Sequence, residues 1–346
     1  MTQFDRVDEV LRGAAGVEFT GAVARIEHRG RLVFERAYGA TRADALGRAV
    51  YVDTVFDLAS LTKLFVATLL LQSVAAGHLE LDQPLTDIIP EWRAKPHAAI
   101  TARMLLAHTS GMNSGADYRA ILDENVESFA LTSELIAAPG ERVIYSDLGF
   151  IAIGIALAVV HRRSLASIVR DSFSASPTFR PRGRRRFEIP ATEDDGWRGR
   201  VQGFVHDEKA YLMGGVAGHA GLFGTAADVA ALTECYLGPS HGRDRQILLQ
   251  TLAAEAIAEQ AYEPVLRRGL GWALKTNDDN SCGRFFDSAS FGHTGFVGTC
   301  VWADPVRDLQ GVLLTNSVYF GRNSPSNSAP ALRPRFYEAM VEDLSV

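Results

Sequence analysis

Paired β-type runs at both ends of the chain, with a long helical stretch between them, most constrain how this sequence can fold. Near the start, "GAVARIEHRGRLVFERAYG" (21–39) is two strand-like runs around Arg29-Gly30-Arg31, the pattern of a hairpin. Near the end, "GTCVWADPVRDLQGVLLTNSV" (298–318) repeats that pattern around Asp304-Pro305-Val306-Arg307-Asp308. Strand hairpins this far apart bury their apolar faces most economically by joining one sheet, which leaves the middle to pack beside it. The expected fold is therefore mixed α/β (α+β): an antiparallel sheet of N- and C-terminal segments, flanked by helices, with a mostly helical subdomain inserted. Residues 1–62 and 255–346 are assigned to the sheet subdomain and 63–254 to the helical one, with the site at their interface. Phe4, Val7, Val10 and Leu11 predict an amphipathic first helix, and a last helix is expected after Pro334.

Within the middle, "FDLASLTKLFVATLLLQSVAAG" (56–77) reads as an almost wholly apolar helix with a lysine at its mouth. An ammonium buried without a partner costs several kcal/mol, so Lys63 needs a reason to be there. Ser60 lies one turn earlier on the same face. At the helix start Ser60 sits in the positive end of the backbone dipole, which favours an alkoxide or a nearby oxyanion. Desolvation by Leu61, Leu64, Phe65 and Val66 is expected to lower the Lys63 pKa, so that a neutral amine can take the serine proton.

Two later stretches supply what such a pair needs. "PGERVIYSDLGF" (139–150) places Tyr145-Ser146-Asp147 in a turn before a buried helix, and a tyrosine hydroxyl near a lysine can shuttle a proton to a leaving group. "SFGHTGFVGTC" (290–300) carries Gly292, Gly295 and Gly298 at the start of a strand. There the Phe296 N–H can form an oxyanion hole with the Ser60 N–H.

In this order, "FDLASLTK", "YSD" and "HTG" resemble the three active-site motifs of serine β-lactamases and penicillin-binding proteins. "LLAHTSGM" (105–112) and "VHDEKAYLMGGVAGHAGLF" (205–223) are similar to motifs of the class C β-lactamase branch, with its related esterases and D-alanyl-D-alanine carboxypeptidases. The resemblance implies a β-lactamase/transpeptidase-like fold, Ser60 as acylated nucleophile, Lys63 as base or proton relay, and Tyr145 as the catalytic tyrosine. His293, Thr294 and Gly295 stand where K-T-G is usual, and Asp147 where lactamases usually carry asparagine. A mostly neutral histidine in place of lysine, with an added carboxylate, is expected to favour neutral esters or amides; Asp147 keeping His293 protonated is the other reading. By the same resemblance His206 and His219 belong to a possible cavity wall. His108 and Ser110 are expected to satisfy helix-end groups.

The resemblance thus implies a serine hydrolase acting on an ester or amide through an acyl-enzyme. The alternatives are an acyltransferase or peptide-cyclising enzyme using the same intermediate, a D-alanyl-D-alanine carboxypeptidase or weak β-lactamase, and a non-catalytic binder of peptidoglycan fragments or β-lactams. The expected partner is a small-molecule or short-peptide acyl substrate. A net charge of −6 argues against a nucleic-acid surface. Three unpatterned cysteines and histidines without ligand spacing suggest neither a disulfide framework nor a metal site, and no cofactor is implied. "LGFIAIGIALAVV" (148–160) is too short to span a bilayer. The first residues lack the apolar core of a secretory signal, so a cytoplasmic location is expected, or a periplasmic one if a leader has been removed. The arginine-rich stretch 180–200 reads as a solvated loop that neutralises itself with Glu193-Asp194-Asp195. Oligomeric state is left open.

Overall fold

The computed structural model describes residues 4–93, 96–114, 122, 124–173, 176–181, 186–243, 247–263, 267–324 and 329–345. Both ends of the chain meet in one antiparallel sheet. Its strands are β1 (Gly21–His28), β2 (Arg31–Gly39), β3 (Ala273–Leu274), β4 (Phe291–Thr294), β5 (Cys300–Asp304) and β6 (Leu309–Thr315), in the spatial order β2-β1-β6-β5-β4-β3. Pairing of Ala22 with Thr315 and of His28 with Leu309 fixes the join between the two hairpins. The fold is the mixed α/β arrangement expected from the strand runs.

Side chains alternate faces along these strands, and each face has its own core. Val23, Val301, Ala303, Val312 and Leu314 face the larger core. It is built with helices α2 (Thr62–Ala75), α3 (Asp147–His161) and α4 (Ala226–Leu237). Ala22, Ala24, Cys300, Trp302 and Leu313 face the other core, against α1 (Asp5–Ala14) and α5 (Ala329–Leu344). Covered on both faces, the central strand β6 is buried along its whole length. Helix α5 begins at Ala329 rather than after Pro334, which lies inside it. Inside the helix the proline has no N–H to give to the Pro330 carbonyl, one turn earlier.

A small second sheet positions the nucleophile. Phe56–Asp57 pairs with Leu222–Gly224, which also pairs with Thr178–Phe179. Helix α2 leaves this sheet through a short turn, Ala59–Leu61, so Ser60 sits where strand becomes helix. Among the described residues no single helix is long and apolar enough to cross a membrane.

Candidate active site

Helix α2 is buried all round, and Lys63 within it is 0% exposed. Its ammonium reaches three acceptors: Ser60 Oγ at 3.0 Å, the His219 carbonyl at 3.0 Å and Asp147 Oδ1 at 2.9 Å. Three partners use all three N–H donors of a protonated lysine. Burial pulls its pKa down, but the Asp147 carboxylate and Tyr145 outweigh that and leave it above the ordinary lysine value. The expected depression is therefore reversed, because Asp147 is placed against the lysine rather than against the substrate.

Asp147 opens α3, with Ser146 as N-cap accepting the Gly149 N–H at 2.9 Å. It also meets Lys209 at 3.3 Å, while Lys209 and His219 reach Asp207 at 3.6 and 2.7 Å. Burial raises the Asp147 pKa, yet Lys63, His219 and Lys209 hold it below the usual carboxylate range. Asp147, Asp207 and His219 present ligand-type atoms within 4.8 Å of one another. Two ammoniums already balance the two carboxylates, so the group is a closed salt network.

Tyr145 gives its hydroxyl to Ser60 Oγ at 3.0 Å. His108 holds this tyrosine from both sides: its carbonyl accepts the Ile144 N–H at 2.7 Å and its Nδ1 accepts the Ser146 N–H at 3.0 Å. The His108 ring also packs on the Tyr145 ring, with centroids 4.6 Å apart. His108 thus does more than finish a helix, and burial keeps its pKa well below the ordinary value.

Ser60 is presented on a strained turn. Ala59, just before it, has φ +47°, a conformation that L-residues rarely adopt. Asp57 holds this turn, one carboxylate oxygen accepting the Ala59 N–H at 2.8 Å and the other the His206 N–H at 2.7 Å. Burial raises the Asp57 pKa to about 6.

The loop after β4 closes over Ser60. Thr299 Oγ1 donates to the Leu58 carbonyl at 3.2 Å, and a Cβ on Gly295 would lie 2.1 Å from Thr299 Oγ1. Glycine is needed here to bring the two loops together. The Phe296 N–H has no acceptor among the described residues, and its ring, 55% exposed, stacks on His206.

A cavity of about 560 Å³ brings together Ser60, Tyr145, His293, Thr294, Gly295 and Phe296. Asp147, His206 and His219 are not on its lining, contrary to the expectation for them. Asp147 stands behind Lys63. His206 Nδ1 pairs with Thr192 Oγ1 at 2.9 Å, and His219 is spent on Asp207 and on the Lys63 bond. His293 lines the cavity as a neutral ring. Burial, Arg268 and Lys63 depress its pKa to about 3 against the weaker pull of Asp147. Its Nδ1 lies 2.8 Å from the Thr294 carbonyl, which can only accept, so the proton is on Nδ1 and Nε2 carries a bare lone pair.

The arginine-rich stretch is less solvated than its composition suggests, and residues 182–185 of it lie outside the described residues. The Arg198 side chain, 2% exposed, bonds Asp195 and the His206 carbonyl; Arg200 bonds the Thr192 and Tyr319 carbonyls; Glu193 pairs with Arg322. These side chains staple loops together. Sequence reading missed Asp57, Asp207, Lys209 and Arg268. A D-x-K pair inside the glycine-rich run 205–223, and arginine at the head of "RGLGW", are the signals that could have found the last three.

Sheet, buried lysine helix and the three converging motifs define a protein of the β-lactamase/transpeptidase type. The family model described as Beta-lactamase matches residues 8–331, and the chain belongs to that family. It is 31% identical to esterase EstB of Burkholderia gladioli, covering 92% of this chain and 90% of that one. It is 27% identical to an N-acetylmuramyl-L-alanine amidase of Bacillus subtilis, covering 97% and 88%. A class C β-lactamase structure from Rhodobacter sphaeroides superposes with a TM-score of 0.76 at 19% identity, over 98% of this chain and 99% of that one, a likeness of fold.

Proposed function

We propose that the protein is a serine hydrolase that cleaves an ester or amide through an acyl-enzyme on Ser60. One observation carries this reading: Ser60 Oγ faces the cavity with Lys63 Nζ and Tyr145 Oη each 3.0 Å away. Because Lys63 has all its donors engaged, Tyr145 is the group at hydrogen-bond distance left to receive the serine proton. Tyr145, whose hydroxyl donates to Ser60 Oγ in the resting site, acts as base only after releasing its own proton to solvent; in acylation Oγ then bonds to the carbonyl carbon as its proton passes to the Tyr145 phenolate oxygen. The negative charge on the carbonyl oxygen is met by the Ser60 and Phe296 N–H groups. As the bond to the leaving group breaks, Tyr145 returns the proton to it. Water, activated by the same oxygen, then releases the acid. The Lys63 ammonium, 4.9 Å from the ring centroid, keeps a positive charge beside Tyr145 throughout.

Relatives named as an esterase and as an amidase support both bond types. Intact-mass analysis after exposure to a fluorophosphonate, a penicillin, a p-nitrophenyl ester and a peptide ending in D-alanyl-D-alanine tests the assignment. An adduct or turnover that disappears in Ser60→Ala is expected. Equal labelling of that variant, or none of the wild type by any probe, would leave only a binding protein. If an added amine or alcohol captures the acyl group in preference to water, the same intermediate serves acyl transfer.

A further inference from the structure

We propose that Arg333 is a positioning residue for the oxyanion hole, holding and polarising the peptide unit that carries the Phe296 N–H; the inference rests on the acyl-enzyme reading of this cavity. Arg333 stands one turn into α5 and is buried. Its Nη2 donates to the Gly295 carbonyl at 2.7 Å and reaches the Thr299 carbonyl at 3.4 Å. The loop between them is tight. The Gly295 N–H meets the Thr299 carbonyl at 2.7 Å, and the Gly298 N–H meets the Gly295 carbonyl at 3.1 Å. Two donors thus fill both lone pairs of the Gly295 oxygen, and one of them is a full cation. Among the described residues no carboxylate pairs with Arg333, and its Nε has no partner. A buried guanidinium is costly to keep, and here its charge falls on loop carbonyls.

The Gly295 C=O and the Phe296 N–H are the two ends of one peptide unit. In a planar trans unit they point in opposite directions, so fixing the oxygen on Arg333 fixes where the N–H aims. That unit lies against the turn that presents Ser60: a Cβ on Gly295 would be 3.0 Å from the Leu58 carbonyl oxygen and 3.3 Å from Ala59 Cβ. A charged donor on the carbonyl also strengthens the N–H at the other end, because hydrogen bonds in a chain polarise one another. The cation therefore acts on the developing oxyanion through the peptide. The Phe296 ring is held separately. It stacks on His206 with centroids 5.5 Å apart, and the Arg322 guanidinium carbon lies 5.4 Å from its centroid. Ring and peptide of residue 296 are thus anchored from different elements, and Arg333 is the charged group on the peptide.

The test follows the acyl carbonyl itself. A neutral acyl donor, trans-cinnamoyl imidazole, should leave a cinnamoyl ester on Ser60 as imidazole departs with the serine proton, and difference infrared spectroscopy reads the C=O stretch. A stronger oxyanion hole draws electrons onto the oxygen and lowers that frequency. In wild type the band is expected below that of a free cinnamoyl ester, and in Arg333→Met it should move back up. With p-nitrophenyl pentanoate, also neutral, kcat and kcat/KM should fall together by about 5- to 50-fold, with KM held within about twofold. That is less than the roughly 10²- to 10³-fold cost of deleting a whole oxyanion donor. Arg333→Lys, which keeps a charged donor, should restore most of the band shift and of kcat. Stability should not follow kcat. The Gly298 N–H still meets the Gly295 carbonyl and a buried charge is gone, so the urea midpoint of Arg333→Met should hold or rise. A band that stays in place in Arg333→Met, or a loss confined to KM, overturns the inference. Should Arg333→Met not fold, Arg333→Gln decides: its amide offers a donor without charge, so the band should still rise, and an unmoved band overturns the proposal. A wild type that forms no ester on Ser60 sinks the acyl-enzyme reading as well; an ester whose band ignores residue 333 sinks the role of Arg333 alone.

Discussion

Ser60 stands between two charged groups that are built in opposite ways. On one side Lys63, Asp147, Lys209, Asp207 and His219 form a network in which each ammonium has a carboxylate. On the other, among the described residues, Arg268 has no anion and the His293 Nε2 lone pair has no donor. Buried charges are tolerated when they are paired, and an unpaired one costs stability. The closed side fixes protonation states before any substrate arrives. Arg268, on the open side, carries that cost.

The hardest way to break this contrast is to open the closed side. Lys63→Ala removes one of the two groups bonded to Ser60 Oγ and leaves Asp147 with Lys209 alone. Loss of kcat/KM by about a thousandfold or more is expected, as when a member of a catalytic unit is removed. Stability should fall by about 3–5 kcal/mol for a broken buried pair, read by chemical denaturation. A variant that keeps its activity would show the network to be merely structural.

Asp147→Asn probes the same side more gently. Burial would still act on Lys63, now without the carboxylate that outweighs it, so the lysine pKa moves down. The basic limb of the pH dependence of kcat/KM should move to lower pH, with about a 10-fold loss near neutrality. A limb that stays in place would mean that Lys63 charge does not govern the reaction.

These contrasts also explain what the sequence could and could not tell. That Ser60, Lys63 and Tyr145 come together was legible because local patterns carry them: a polar pair on an apolar helix and a tyrosine at a helix cap. The sheet was legible from alternation, as in Cys300, Val301, Trp302 and Ala303, which face the two cores in turn. Long-range partners were not. Asp147 looked like a charge beside the substrate because nothing local to residue 147 reveals Lys209. Its pairing decides the sign of the Lys63 shift. Arg268 was hidden for the converse reason. What distinguishes it is a missing partner, and a partner's absence is visible only once the whole cavity is assembled. The φ of Ala59 is likewise a property of the turn that Asp57 holds, not of alanine.

The smallest expected effect concerns His293, and it sharpens the comparison from the open side. Its folded pKa of about 3 and that of His206, about 4, lie below the unfolded value near 6.5. The unfolded chain therefore binds protons that the folded one refuses. This contribution to stability is fully present above pH 6.5 and is lost as pH falls toward 4 and 3. Asp57 has the opposite sign: with a folded pKa of about 6, its contribution is present below the ordinary carboxylate pKa and lost as pH rises through 6. Each group changes the slope by at most about 1.4 kcal/mol per pH unit, so Asp57 offsets one histidine but not two. The urea midpoint should fall between pH 6.5 and 4.5, with a shallower fall in His293→Asn and a steeper one in Asp57→Asn. An unchanged slope in His293→Asn would mean that the folded ring takes up its proton as readily as the unfolded one, and so is charged in acid. The H-T-G wall would then carry a second cation, and the open side would hold two charges rather than one.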